Sequence, residues 1–95
     1  APKVAGARRS IKLGSYSAVE RLIRIHPALD RHWIPRYFVG FILYHEMLHH
    51  VVPAEVIGRR RNLHPPAFVE REQLFRDYDR ALVWEREHLT RLLRA

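Results

Sequence analysis

From Tyr37 to Val52 the chain reads YFVGFILYHEMLHHVV, apolar on nearly every side of a helix until three histidines and a glutamate enter it. A helix that is apolar all round is a central, buried one. Proline suits a first helical turn and stops a helix that runs into it, so Pro35 and Pro53 bracket the element. The pattern predicts a helix from Pro35 to about Val52. Gly40 costs such a helix roughly 1 kcal/mol relative to alanine, which close packing against a strand would explain.

Ahead of this helix, Ile11–Leu13 and Arg21–His26 mix β-branched and charged residues as half-buried strands do. Gly14, Ser15 and Ser17 between them suit a turn or irregular crossing, and Pro27 ends the second strand because it cannot donate to a ladder. After the helix, Ala54–Leu63 reads as a loop containing Gly58 and the run Arg59-Arg60-Arg61. Beyond His64-Pro65-Pro66, the apolar residues Phe68, Phe75, Tyr78, Leu82, Leu89 and Leu92 recur at helical spacings. Glu72–Arg76 and Glu87–Arg91 are i,i+4 pairs in the favourable order, and a break near Arg76-Asp77 would let Asp77 cap a second helix. The expected fold is α+β: short antiparallel strands, a central helix and a C-terminal helical segment. It forms one domain over residues 1–95, with Ala1–Ala7 a loose end.

Composition narrows the chemistry. A chain of 95 residues buries a modest core, so a metal or partner matters to its stability. With no cysteine, disulfides and thiolate zinc sites are excluded. The apolar run Tyr37–Tyr44 is too short to span a bilayer, and the first residues lack the apolar core of a secretion signal. A cytoplasmic monomer without membrane contact is the default. The missing initiator Met fits a trimmed piece of something longer. The formal charge is +7, and fifteen of the seventeen basic residues are arginine. A coding bias is the plainer source of that excess; phosphate recognition by forked guanidinium groups is the functional one.

Imidazoles and a carboxylate inside an apolar helix are costly unless they are paired. His45-Glu46-Met47-Leu48-His49 supplies a reason for them. Four residues of helix turn through about 400° and rise about 6 Å, so His45 and His49 share a face and can converge on one ion. Glu46 lies about 100° away, poorly placed as a ligand but near the open side of such an ion, where it can take a proton from an activated water. A third ligand is required. His64 follows His49 by fifteen positions, and the rigid Pro65-Pro66 pair would fix its direction. Glu70 and Glu72 are rivals, since a carboxylate from a second helix also completes zinc sites; both read more simply as surface charges. His50 points away from His49 as a packing residue or a support for the ligands, His26, His32 and His88 stand apart as surface or loop histidines, and Tyr16, Tyr37 and Tyr44 are core aromatics that could also serve an oxyanion.

On these residues the chain resembles the SprT-like family of zinc metallopeptidases. IKLGSYSAVERLIRIHPALD is similar to that family's strand, turn and strand; IPRYFVGFILYHEMLHHVVP to its active-site helix; and RRRNLHPPAF to the segment that brings in a third histidine ahead of a phenylalanine. The resemblance implies a zincin-like α+β fold, a zinc ion, and hydrolysis of peptide bonds in a protein or peptide substrate. His45, His49 and His64 would be the ligands and Glu46 the general base. The chain departs from the family where Tyr16 stands for a frequent cysteine, and it shows neither the helix that usually precedes the first strand nor a C-terminal zinc ribbon.

Two functions therefore compete, with a metal that merely staples the small fold as a third reading. One is a zinc-dependent endopeptidase whose substrate pairs with a strand edge. The other is a zinc-stabilised, basic module that binds nucleic acid or protein without turnover. Three protein ligands plus water favour catalysis and a closed four-ligand site favours structure. The loop run Arg59-Arg60-Arg61 carries a further expectation of weak, salt-sensitive, non-specific DNA contact.

Overall fold

The computed structural model describes residues 13–94. The expected strand at Ile11–Leu13 and the loose end Ala1–Ala7 lie outside the described residues, apart from Leu13, which is a buried bend. The central helix forms where the apolar run demands it: α1 spans Arg36–Val51, with Pro35 as its N-cap and Val52 closing it through an N–H bond to the Leu48 carbonyl. It packs against a β-hairpin and two further helices, which makes the domain α+β.

The first hairpin is offset from its predicted position. Strand β1 is Gly14–Ser17 and pairs antiparallel with β2, Leu22–Ile25, from Gly14 opposite Ile25 to Ser17 opposite Leu22. The turn falls later, at 18–21: the Ser17 hydroxyl accepts the Glu20 N–H at 3.2 Å and Arg21 takes a left-handed φ of 52°. Gly14 serves the strand and not the turn. A Cβ placed there would lie 2.8 Å from Ile42 Cγ2 and 3.2 Å from Glu46 Cγ, so only glycine lets β1 rest this closely on α1. The expectation that Gly40 makes the close strand contact is thereby corrected: its Cβ would meet only Phe75, at an ordinary 3.6 Å.

Strand β2 ends before Pro27, as expected, and the 3₁₀ turn Pro27–Leu29 is capped by His26, whose Nδ1 accepts the Ala28 N–H. The segment read as a loop contains a second hairpin, β3 (Glu55–Ile57) and β4 (Arg60–Asn62). Its two-residue connection places Gly58 at a φ of 63°, the left-handed conformation that such tight loops demand at their first position. Three-residue strands are too short for alternation to announce them.

Helix α2 is Pro66–Glu72 and helix α3 is Tyr78–Arg94, separated by the expected break before Tyr78. The backbone carbonyl of Asp77 accepts the Ala81 N–H at 2.8 Å and so opens α3. Two apolar clusters result. The larger joins Leu13, Leu29, Ile34, Phe38, Phe41 and Ile42 to Ala81, Trp84 and Leu92 of α3; the smaller joins Leu48, Val52 and Phe68. Phe38 and Phe68, both fully buried, each contribute about 1.5–3 kcal/mol by burial, one to each cluster. His88, expected at the surface, stacks on Trp84 with ring centroids 4.3 Å apart and bonds the Trp84 carbonyl through Nδ1. Arg91, expected beside Glu87, lies 3.8 Å over the ring of Trp33. α1 is not apolar-buried all round either: Leu43, Met47 and Val51 form a solvent-facing stripe. Among the described residues no helix is long and apolar enough to cross a membrane.

The two glycines of this packing have opposite expected responses. Gly14→Ala overfills the strand–helix contact and should lower stability by about 1–3 kcal/mol. Gly40→Ala gains helix propensity with room to spare and should raise stability by up to about 1 kcal/mol. Thermal and urea unfolding of the two variants checks both signs.

Candidate metal centre

The geometry of α1 brings His45 and His49 onto one face one turn apart, with ring centroids separated by 5.0 Å. His64 reaches the same point from the far side of the second hairpin, its centroid 5.0 Å from each of the other two. One ligand nitrogen from each ring lies within 4.8 Å of the others. His45 Nε2 and His64 Nε2 are 3.3 Å apart. Two nitrogens bonded at about 2.05 Å to a tetrahedral ion are separated by about 3.3 Å, so this pair already has the spacing one ion demands.

Phe68 fixes the three rings from beneath. Its ring centroid lies 5.0, 4.7 and 4.9 Å from those of His45, His49 and His64, and it is fully buried. It sits in α2 one turn after His64, where Pro65 and Pro66 set the entry of the chain: Pro65 N-caps the helix and Pro66 begins it. The Asn62 side chain completes the hold by accepting the His64 N–H through Oδ1 at 3.0 Å.

Glu72 has a role other than those expected of it. It is neither paired with Arg76 nor one of the converging groups: its Oε2 lies 2.5 Å from His45 Nδ1, with both side chains part-buried. A carboxylate accepts, so the ring proton belongs on Nδ1 and the Nε2 lone pair is turned toward the other imidazoles. This is the arrangement that fixes the tautomer of metal-binding histidines and raises their basicity. Tyr44 supports it from α1, donating its hydroxyl to the Arg71 carbonyl at 2.8 Å and so anchoring the end of α2 from which Glu72 projects. Glu70 is exposed on the outer side of α2.

Glu46 is buried on the neighbouring face of α1, where its side chain packs against Gly14 of β1. One turn further along, His50 bonds the Tyr16 hydroxyl through Nδ1 at 2.6 Å. Gly14 and Tyr16 share a face of β1, so the strand runs along the stripe Ile42–Glu46–His50 and holds Glu46 beside the ligand face. The other tyrosines are engaged elsewhere: Tyr44 as described, and Tyr37 beneath the Arg80 guanidinium. Sequence reasoning named the four residues His45, Glu46, His49 and His64. Of the supports, Phe68 entered the sequence reading as an apolar helical position and as the phenylalanine of the resemblance, Glu72 as a rival ligand, and Asn62 not at all.

The chain matches no protein-family model, no curated protein and no solved structure, so its chemistry is read from the site itself. Three neutral imidazoles on converging nitrogens are a donor set suited to a divalent transition metal such as zinc.

Chelator-competition titration with zinc ranks the contributions. His64→Ala should abolish tight binding and the stability that binding adds, and Glu72→Gln should weaken it about 10–100-fold. Glu70→Ala should leave it unchanged. Loss of zinc on replacing Glu72 but not His64 would make the carboxylate the ligand.

Proposed function

We propose that this protein is a zinc-dependent endopeptidase of the SprT-like, zincin type, with His45, His49 and His64 as ligands and Glu46 as general base. The observation that carries the reading is the convergence of exactly these three imidazoles, two from one helical turn, beside a buried carboxylate that is not among the converging groups. Glu72 bonds the Nδ1 side of His45, which leaves a three-histidine set, the ligand number of catalytic sites with an open position.

His45, His49 and His64 would hold the zinc, which would supply Lewis-acid polarisation of the scissile carbonyl and lower the pKa of a water to about 7. Glu46 would serve as general base, accepting a proton from the attacking water as its oxygen bonds to the carbonyl carbon. The same carboxyl then returns the proton to the departing amine nitrogen as the C–N bond breaks, so it begins and ends the cycle ionised. The contact of Glu46 with Gly14 sets how far the carboxylate can swing, since β1 blocks its retreat. Glu72 keeps the His45 proton on Nδ1, and Phe68 excludes water from the underside of the ligands.

Glu46→Gln is the decisive test. It should bind zinc as tightly as the parent protein and lose about 10²–10⁴-fold in hydrolysis of an unfolded protein substrate. Equal turnover in the two proteins would remove Glu46 from the mechanism. No turnover in either, with zinc retained and zinc removal unfolding both, would make the ion a structural staple.

A further inference from the structure

Every residue of both strands of the second hairpin is exposed, and the sequence places the hairpin directly before His64. Val56 and Ile57 are 69% and 67% exposed, and Arg59, Arg60 and Arg61 are all solvent-facing. Nothing lies within 4 Å of a Cβ placed at Gly58, so the tip projects freely. Its base does not: Asn62, the last residue of β4, accepts the His64 N–H, so the ribbon is coupled to the ligand two residues on. Among the described residues neither outer edge of this hairpin has a partner strand.

The register gives those arginines a pattern. Arg60 stands opposite Ile57 and Arg61 opposite Val56, so each face of the ribbon carries one guanidinium beside one aliphatic side chain. Consecutive side chains of an extended peptide also point to opposite faces. A peptide added along β4 therefore presents two adjacent side chains to two differently directed arginines. Glu55 is the only acid in the ribbon, against three arginines, so the complementary side chains are carboxylates. Single-stranded nucleic acid fits this surface less well. The ribbon has no aromatic residue for bases to stack on, while its unpaired strand edges and aliphatic contacts are features a peptide uses.

We propose that the hairpin 55–62 is a specificity arm that takes up a substrate segment as a third strand on β4, with Arg60 and Arg61 receiving two consecutive acidic side chains. The proposal deepens the peptidase reading and rests on it for calling the bound peptide a substrate.

Binding tests it apart from turnover. Zinc-loaded protein carrying Glu46→Gln is titrated against fluorescein-labelled, unstructured peptides containing Glu-Glu, Gln-Gln or Glu-Ala-Glu, with anisotropy as the readout at low and physiological salt. Glu-Glu should bind about tenfold more tightly than Gln-Gln, as expected of two exposed ion pairs, and the gap should narrow with salt. Glu-Ala-Glu, whose carboxylates share one face, should bind more weakly than Glu-Glu. Arg60→Ser with Arg61→Ser should erase the preference while zinc retention stays at the parent level. No binding, equal binding of Glu-Glu and Gln-Gln, or a preference that survives the double replacement overturns the proposal. So does a single-stranded oligonucleotide that binds more tightly and displaces the peptide, which would assign the arm to nucleic acid. Cleavage by the protein with Glu46 intact is scored separately. Hydrolysis without charge preference sinks the arm alone, and charge-selective binding without hydrolysis sinks the peptidase reading alone.

Discussion

Three imidazoles packed around one buried phenylalanine are the constraint on which the rest of this structure depends. Phe68 touches His45, His49 and His64 together, and it can do so only if α2 lies across the face of α1 that carries the first two. That crossing needs the short apolar cluster of Leu48, Val52 and Phe68, the Tyr44 bond to the Arg71 carbonyl, and a chain reversal tight enough to bring His64 back beside His49. The second hairpin and the Pro65-Pro66 pair supply the reversal. Polar groups that would be a liability in an apolar helix are thereby placed at the junction of two elements, where each has a neighbour to engage.

One face of the helix serves two purposes along its length. Its Phe38, Phe41 and Ile42 positions enter the large core with Trp84 and Leu92, while the positions one turn onward carry the histidines. Flanking this face runs the stripe Ile42–Glu46–His50, covered by β1. Gly14 permits the contact and the Tyr16–His50 bond closes its far end, so the strand is registered on the helix at both ends of Glu46. A carboxylate held in this way lies beside the three imidazoles without converging with them, the placement that the proposed role of general base would need.

How much of this the sequence made legible depended on range. α1 and its limits were readable because local rules decide them: an all-round apolar run, with prolines before and after. His45, Glu46 and His49 were readable because a helix fixes their angles. His64 was readable less securely, as a histidine followed by two prolines, and Glu70 and Glu72 could not be excluded. The glycine at position 14 misled: glycine marks turns and close approaches alike, and only the neighbouring helix tells which. The hairpin at 55–62 was missed because each strand has three residues, too few for a periodic signal. The Glu72–His45 bond joins residues 27 positions apart, and no local pattern encodes it.

The division of the site between a rigid and a more weakly held half has a consequence for stability. His45 and His49 come from the middle and end of a long helix that belongs to the main core. His64 comes from an exposed position between a marginal two-stranded ribbon and a short helix, and its orientation depends on Asn62, on the prolines and on Phe68. An ion bonded to all three would join the two apolar clusters by a link that neither cluster supplies. In a domain of this size, with no disulfide to do so, that link would add more to the second cluster and the ribbon than to the first, because α1 is already buried without it. Binding such an ion and ordering the second hairpin would then be one event, since both would act through the backbone between Asn62 and His64.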